Sequence, residues 1–327
     1  MKPRVSVVVP TYKRPELLAR CLDALLAQDF DAQDYEIIIA DDANRADTQQ
    51  QVMLVAEKAR LCGHTVRYIP VPSACSHGPA AARNAGWRAA RGKFIAFTDD
   101  DCIPQKQWLK AGVAAMVDGV AGAAGYLMVP LEGVPTDYEY NAAQLGKNDF
   151  VTANCFYRRD VLLEVGGFDE RFTSAWREDS DLVFTLLARG AKFTTAQDAV
   201  VIHPVRPAQW GISIRQQRKS MFNALLYKKH PALYRQKIQA TPPWRYYIIV
   251  CAVLVALIGA VCEVWLLALA GLMLWLGLTA RFCLQRLRHT SHAPRHVAEM
   301  IVTTIVIPPL AIFWRLYGAV RFRVFFL

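Results

Sequence analysis

Three consecutive carboxylates, Asp99-Asp100-Asp101, close the apolar run Phe94–Phe97. Adjacent carboxylates repel one another unless a cation compensates them. Oxygen donors of this kind suit Mg²⁺ or Mn²⁺, which commonly also takes phosphate oxygens from a nucleotide. Taken alone, such a triplet can also be a solvated turn. A second acidic pair, Asp41-Asp42, closes another apolar run, Tyr35–Ala40. In open α/β sheets ligands bind at the carboxyl ends of strands, so two acidic strand ends of one sheet belong in one crevice.

The flanking pattern supplies that sheet. Val5–Val9 is a β-branched run closed by Pro10, and Thr65–Ile69 reads as another strand. Helical spacing occupies Arg14–Ala27, Asp47–Leu61 and Pro79–Arg91 between them. Strands alternating with helices predict right-handed crossovers and a mostly parallel sheet covered on both faces. Beyond it, Trp108–Leu145 reads as an Ala/Gly-rich helix followed by loop. Cys155–Glu164 and Asp181–Arg189 read as helices, and Ala199–Ile202 as a late strand before His203-Pro204.

Charge divides the chain. Of 327 residues, the first 200 hold 22 Lys/Arg and 26 Asp/Glu, while residues 201–327 hold 16 Lys/Arg and only two acids, Glu263 and Glu299. A hydrophobic content of 54% excludes intrinsic disorder, and the acidic first part argues against a nucleic-acid partner. Residues 209–239 combine an apolar side with Arg215, Arg218, Lys219, Lys228, Lys229, Arg235 and Lys237. This is the pattern of an interfacial helix on anionic lipid, or of a solvated basic face. Seventeen uncharged residues separate Arg245 from Glu263, and another 17 separate Glu263 from Arg281. Each is at the short end of a bilayer span, so a transmembrane hairpin with Glu263 near its turn is expected. Arg245, Arg281, Arg286 and Arg288 then place the globular domain in the cytoplasm, on the inner (cytoplasmic) membrane. The short apolar run at the N-terminus, ending at Pro10, reads as a strand and not a signal peptide. Met300–Trp314 has only 15 residues and contains Pro308-Pro309. A full span would export Arg315, Arg321 and Arg323, so a kinked re-entrant or interfacial segment is expected. Eight scattered cysteines without a C-x-x-C pair read as free buried thiols in a reducing compartment.

Four segments in order resemble the family 2 glycosyltransferases, which adopt the GT-A fold. They are VSVVVPTYKRPELLARCL (5–22), EIIIADDA (36–43), GPAAARNAGWRAARGKFIAFTDDDCIP (78–104), and GGFDERF followed by WREDSDL (166–182). The resemblance implies an α/β, Rossmann-like GT-A domain over residues 1–207. Interfacial helices (208–243), the hairpin (244–288) and the re-entrant or interfacial segment (295–327) would follow. It implies that Asp42 binds the base beside Pro10, Thr11 and Tyr12, and that Arg83 and Asp100 help hold the nucleotide. Asp99 and Asp101 would be the metal-binding pair, joined by His203 or leaving it as a core histidine. Asp179 would be the general base, with Glu178 raising its pKa by like-charge proximity, and Asn154 would lie on the acceptor side.

The donor implied is a nucleotide-diphosphate sugar, UDP-sugar favoured, with Mg²⁺ or Mn²⁺. The acceptor implied is a membrane lipid or lipid-linked species receiving a single sugar with inversion. Processive relatives carry Q-x-x-R-W, whereas here Gln216-Gln217-Arg218-Lys219-Ser220 lacks the tryptophan. A processive polysaccharide synthase and transfer to a soluble saccharide are the alternatives.

Overall fold

The computed structural model describes residues 2–72, 76–147 and 150–326. The chain forms two compact units, residues 1–130 with 143–205, and residues 131–142 with 206–327. The segment 131–142, expected within the first domain, therefore belongs to the second unit.

The first unit is built on one sheet. Its strands are β1 (Val5–Thr11), β2 (Tyr35–Asp41), β3 (Thr65–Pro70), β4 (Phe94–Phe97), β5 (Ile103–Pro104), β6 (Val120–Met128), β7 (Cys155–Arg158) and β8 (Lys192–Ile202). Their order is β3-β2-β1-β4-β7-β6-β8-β5. The β3-β2-β1-β4 half is parallel, and β6 pairs parallel with β8. The short β7 enters antiparallel to both β4 and β6, and β5 pairs antiparallel with β8, so the sheet is mixed. Alternation along the strands sorts the core into two layers. Val7, Val9, Ile37, Ile39 and Ala96 face one layer with Leu18, Leu22 and Trp108. Val8, Ile38, Ile95 and Phe97 face the other with Trp87, Phe168 and Leu182.

Helices α1 (Pro15–Leu26), α2 (Ala46–Leu61), α3 (Pro79–Ala89) and α4 (Trp108–Ala115) follow the expected positions. A short helix α5 (Asp137–Ala143) comes next, and α6 (Arg159–Val165) and α7 (Glu178–Ala188) complete the set up to β8. On α3, Gly86 lies against Val8; a Cβ there would collide with the Val8 side chain, so the helix sits directly on β1.

Two expectations fail here. Cys155–Glu164 is not one helix: residues 155–158 are β7, and only the remainder is helical. The stretch read as helix and loop contains the nine-residue β6. Its sequence, VAGAAGYLM, lacks the β-branched signature of a strand. Small residues are required there because Gly122 faces Tyr157 and Phe193, and Gly125 abuts the Asn154 side chain.

In the second unit, residues 209–239 are not one continuous helix. They form α8 (Ile212–Gln216), a 3₁₀ turn (Gln217–Met221), α9 (Phe222–Lys229) and α10 (Pro231–Lys237), with Pro231 starting the last. The hairpin is α11 (Trp244–Val261) and α12 (Trp265–Leu287), with Glu263 in a left-handed turn at φ 58°. Gly271 lies against the Ala252 and Ala256 backbone, the close approach that small residues permit between apolar helices. The last helix, α13 (Pro294–Arg321), runs uninterrupted through Pro308-Pro309. All three of these helices are long and apolar enough to cross a membrane, with mean hydropathy 2.1, 1.8 and 1.9.

Among the described residues no cysteine is paired. Cys21, Cys102 and Cys155 are buried, but Cys62, Cys251 and Cys262 are exposed and Cys283 is half-buried, so burial does not hold for all of them. Cys75 lies outside the described residues.

Candidate active site

The carboxyl ends of β1, β2 and β4 and the end of β8 carry most of the residues singled out from sequence. At the end of β2 the two aspartates divide their work. Asp41 is buried and accepts hydrogen bonds from the Ala43 and Arg45 amides, each at 2.9 Å, and from the Tyr68 hydroxyl at 2.9 Å. It thereby orders the turn leading into α2. Asp42 is not that cap. Its carboxylate accepts from the Gly78 amide (2.9 Å) and pairs with His77 Nδ1 (3.0 Å). Gly78 has φ 123°, and a Cβ there would meet the Thr173 carbonyl, so the entry to α3 is held against the loop before α7.

The aspartates after β4 point to three different partners. Asp99 accepts from Arg83 Nη2 at 2.9 Å. Asp100 is 2% exposed and turned inward, accepting from Thr11 Oγ1 (2.8 Å) and Arg14 Nη1 (2.9 Å). Asp101 is buried, with one oxygen 3.7 Å from His203 Nε2. Burial pushes the Asp100 carboxyl up to about 6, helped by the charges of Asp101 and Asp99 and opposed by Arg14 and Thr11. Burial also acts to raise Asp99, but the Arg83 guanidinium outweighs it and holds Asp99 below the ordinary carboxylate range.

Arg83 is 2% exposed and uses both arms, one on Asp99 and the other on Glu178 Oε1 at 3.0 Å. Burial disfavours its charge, and the two carboxylates more than restore it. Glu178 and Asp179 open α7 but diverge. Glu178 is buried against Arg83, and burial together with the Asp179 charge pushes it above its usual range. Asp179 is half-buried and accepts from the Ser180 amide at 2.6 Å and its hydroxyl at 3.2 Å. The sequence reading had Glu178 acting on Asp179; in the structure Glu178 is the deeply buried member and is directed at Arg83.

His203, Asp101 and Cys102 bring ligand atoms within 4.8 Å of one another. Nδ1 of His203 is buried with no hydrogen-bond partner among the described residues. Burial pushes the Cys102 thiol up, and a carboxylate with an imidazole suits Mn²⁺ or Mg²⁺ better than a soft thiol does. Asp99, a quarter exposed at its side chain, is held by Arg83 and is not among these three.

Pro10 is half-buried and Tyr12 exposed at the end of β1, whereas Thr11 is buried and committed to Asp100. Asn154 is engaged with the sheet and α4. It is 2% exposed, donates to the Tyr126 and Ala199 carbonyls (2.9 and 2.8 Å) and accepts from Trp108 Nε1 (2.8 Å). Its amide joins β6, β8 and α4, and all of its ordinary partners are already present. Sequence reading passed over His77, which precedes the segment 78–104, and Arg14, which lies inside the segment 5–22.

The mixed sheet with acidic strand ends defines a GT-A fold. A solved structure similar over 99% of this chain and 88% of its own is a mannosyltransferase, PcManGT, from Pyrobaculum calidifontis in complex with GDP-Man and Mn²⁺, at TM-score 0.56 and 19% identity. Staphylococcus aureus TarS 1–349 in complex with UDP-GlcNAc is similar over 99% of this chain and 90% of its own, at TM-score 0.50 and 17% identity. The family model "Glycosyl transferase family 2" matches residues 6–166, and "Glycosyl transferase family group 2" matches residues 137–315. The chain belongs to the family 2 glycosyltransferases. Among curated relatives, glycosyltransferase AglE of Haloferax volcanii is 29% identical over 218 residues, 63% of this chain and 68% of its own length. Chondroitin synthase of Escherichia coli is 25% identical over 276 residues, 71% of this chain and 39% of its own. The pre-mycofactocin glycosyltransferase of Mycobacterium tuberculosis is 28% identical over 218 residues, 62% of this chain and 43% of its own. The alignments with the last two therefore span less than half of those proteins.

Proposed function

We propose that this chain is a membrane-bound inverting glycosyltransferase. It moves one sugar from a nucleotide-diphosphate sugar, UDP-sugar favoured, to a lipid or lipid-linked acceptor at the cytoplasmic face. The observation that carries the reading is Asp101 beside His203 at one acidic strand end, with the neighbouring Asp99 tied through Arg83 to Glu178, the residue before Asp179. When bound by Asp101, Asp99 and His203, Mg²⁺ or Mn²⁺ would supply positive charge to the leaving diphosphate. Asp42, beside Pro10 and Tyr12, receives the base. Asp179 takes the proton of the acceptor hydroxyl as its oxygen bonds to the anomeric carbon. The bond to the diphosphate oxygen breaks in the same displacement, so the configuration inverts and no enzyme nucleophile is needed.

The apolar helices and the basic residues of 209–239 support a membrane-borne acceptor. The absence of a Q-x-x-R-W motif supports single transfer over processive synthesis. The test is a panel of nucleotide sugars with Mn²⁺ or Mg²⁺ and native membrane lipid extract. Metal-dependent labelling of lipid is expected; labelling of soluble saccharides alone would sink the lipid assignment.

A further inference from the structure

Helix α13 has the length and composition of a third span, yet its contacts within the second unit run across the hairpin. At one point, Thr303 and Thr304 accept from Arg286 Nη1 at 2.6 and 3.1 Å. Arg286 lies at the end of α12 and is paired there with Asp137 of α5 at 2.8 Å. Twelve residues further along, Arg315 donates to Gln239 at 3.2 Å, just ahead of α11, beside the Tyr234 and Tyr247 phenols. These two points are about 18 Å apart along a helix. Both nevertheless meet the same end of the hairpin, where Arg245 of α11 donates to Gln285 of α12 at 2.7 Å. A helix running beside the hairpin would meet its open end at one point only.

The rest of α13 repeats the pattern. Glu299 accepts from the Gly211 amide (2.7 Å), Gly318 seats on the Met221 backbone, and the Phe322 carbonyl accepts from Lys228 (2.8 Å). Residues 211, 221 and 228 thus follow α13 in parallel order along the basic stretch. The two faces of α13 are correspondingly unlike. Met300, Thr303, Thr304, Ile307, Arg315 and Gly318 are buried at helical spacing, and Ile301, Val302, Ile305, Phe313 and Val320 are exposed. Were α13 to span, arginines at both ends, Arg295 and Arg321, would have to lie on opposite sides.

We infer that α13 lies in the plane of the membrane, with its polar face on the basic helices and its exposed apolar stripe among the acyl chains of one leaflet. Both of its ends then stay on the side of Arg245 and Arg288. The inference rests on the membrane reading above and deepens it: among the described residues the hairpin alone crosses, and α13 is a lipid-facing platform at its open end.

The test uses full-length protein in sealed vesicles of both orientations, with Cys62, Cys75, Cys251 and Cys283 replaced by alanine and a membrane-impermeant thiol reagent. Native Cys262, at the hairpin turn and exposed, reports the far side. Arg295→Cys and Arg321→Cys, each made with Cys262→Ala, report the two ends of α13. Both ends are expected to label from one side and Cys262 from the other, and a fluorophore on Ile305→Cys is expected to be quenched by lipid carrying a shallow spin label. Labelling of the two ends from opposite sides would overturn the inference, as would an Ile305→Cys fluorophore quenched only from water. Cys262 labelling from the same side as both ends would instead overturn the hairpin, a pattern distinct from a crossing α13.

Discussion

Replacing Asp100 by asparagine isolates the electrostatics of the acidic strand end. Asp100 is 2% exposed, and its carboxyl rises from 3.8 to about 6 on folding. Between these values the folded chain keeps a proton that the unfolded chain has released, so stability falls as pH rises. A rise of this size corresponds to about 3 kcal/mol at ~1.36 kcal/mol per unit. That stability is fully present below pH 3.8 and is lost by the time pH has passed 6. Asparagine keeps an acceptor for Arg14 but does not titrate, so the variant lacks this part of the slope. The assay is urea unfolding of the detergent-solubilised chain in chelator across pH 4–7, taking wild type minus variant at each pH. The difference should fall by about 3 kcal/mol through the window and level off above it. Parallel curves would refute the assignment of Asp100 as a buried carboxyl raised by burial and its acidic neighbours.

Arg83→Met leaves the buried Glu178 and the half-buried Asp99 without their cation, and a loss of about 3–5 kcal/mol in unfolding free energy is expected at neutral pH; a variant as stable as wild type would show that the pair is not formed in solution. Asn154→Ala strands Trp108 Nε1 and two carbonyls. At about 1 kcal/mol per lost bond, roughly 3 kcal/mol should go, with KM for the acceptor unchanged in material that stays folded. A selective rise in acceptor KM would restore Asn154 to the acceptor side. His77→Ala releases Asp42 from its histidine, so KM for the nucleotide sugar should fall while kcat stays level, read by steady-state kinetics. An unchanged KM would remove His77 from the base site.

What could be read in advance follows from how strongly each residue pattern constrains the chain. β1 and β2 are β-branched on both faces because they are covered on both faces, so Val5–Val9 and Tyr35–Ala40 announced themselves. The hairpin was equally plain, since one acid, Glu263, interrupts an uncharged stretch. β6 was hidden because its neighbours demand glycine and alanine, the residues that say least about strands. Within the site, residue types could be chosen but not directions. Nothing in Glu178-Asp179 tells which carboxyl turns inward, and nothing in Asp41-Asp42 tells which orders the α2 turn. Those choices are made by Arg83 and by Tyr68, which reach the site from α3 and β3. Asn154 shows the same ambiguity: a buried asparagine that joins three elements has the same sequence appearance as one facing a ligand.

The central claim is that Asp179 and the Asp99–Asp101–His203 group perform metal-assisted sugar transfer. Purified wild type, Asp179→Asn and Asp101→Asn should be compared with a turned-over nucleotide sugar and lipid extract, in Mn²⁺ and in chelator, with nucleotide binding measured in parallel. The account predicts that Asp179→Asn binds donor with Mn²⁺ as wild type does but transfers no sugar, while Asp101→Asn loses Mn²⁺-dependent donor binding. Full transfer by Asp179→Asn, or Mn²⁺-dependent binding retained in Asp101→Asn, would contradict it.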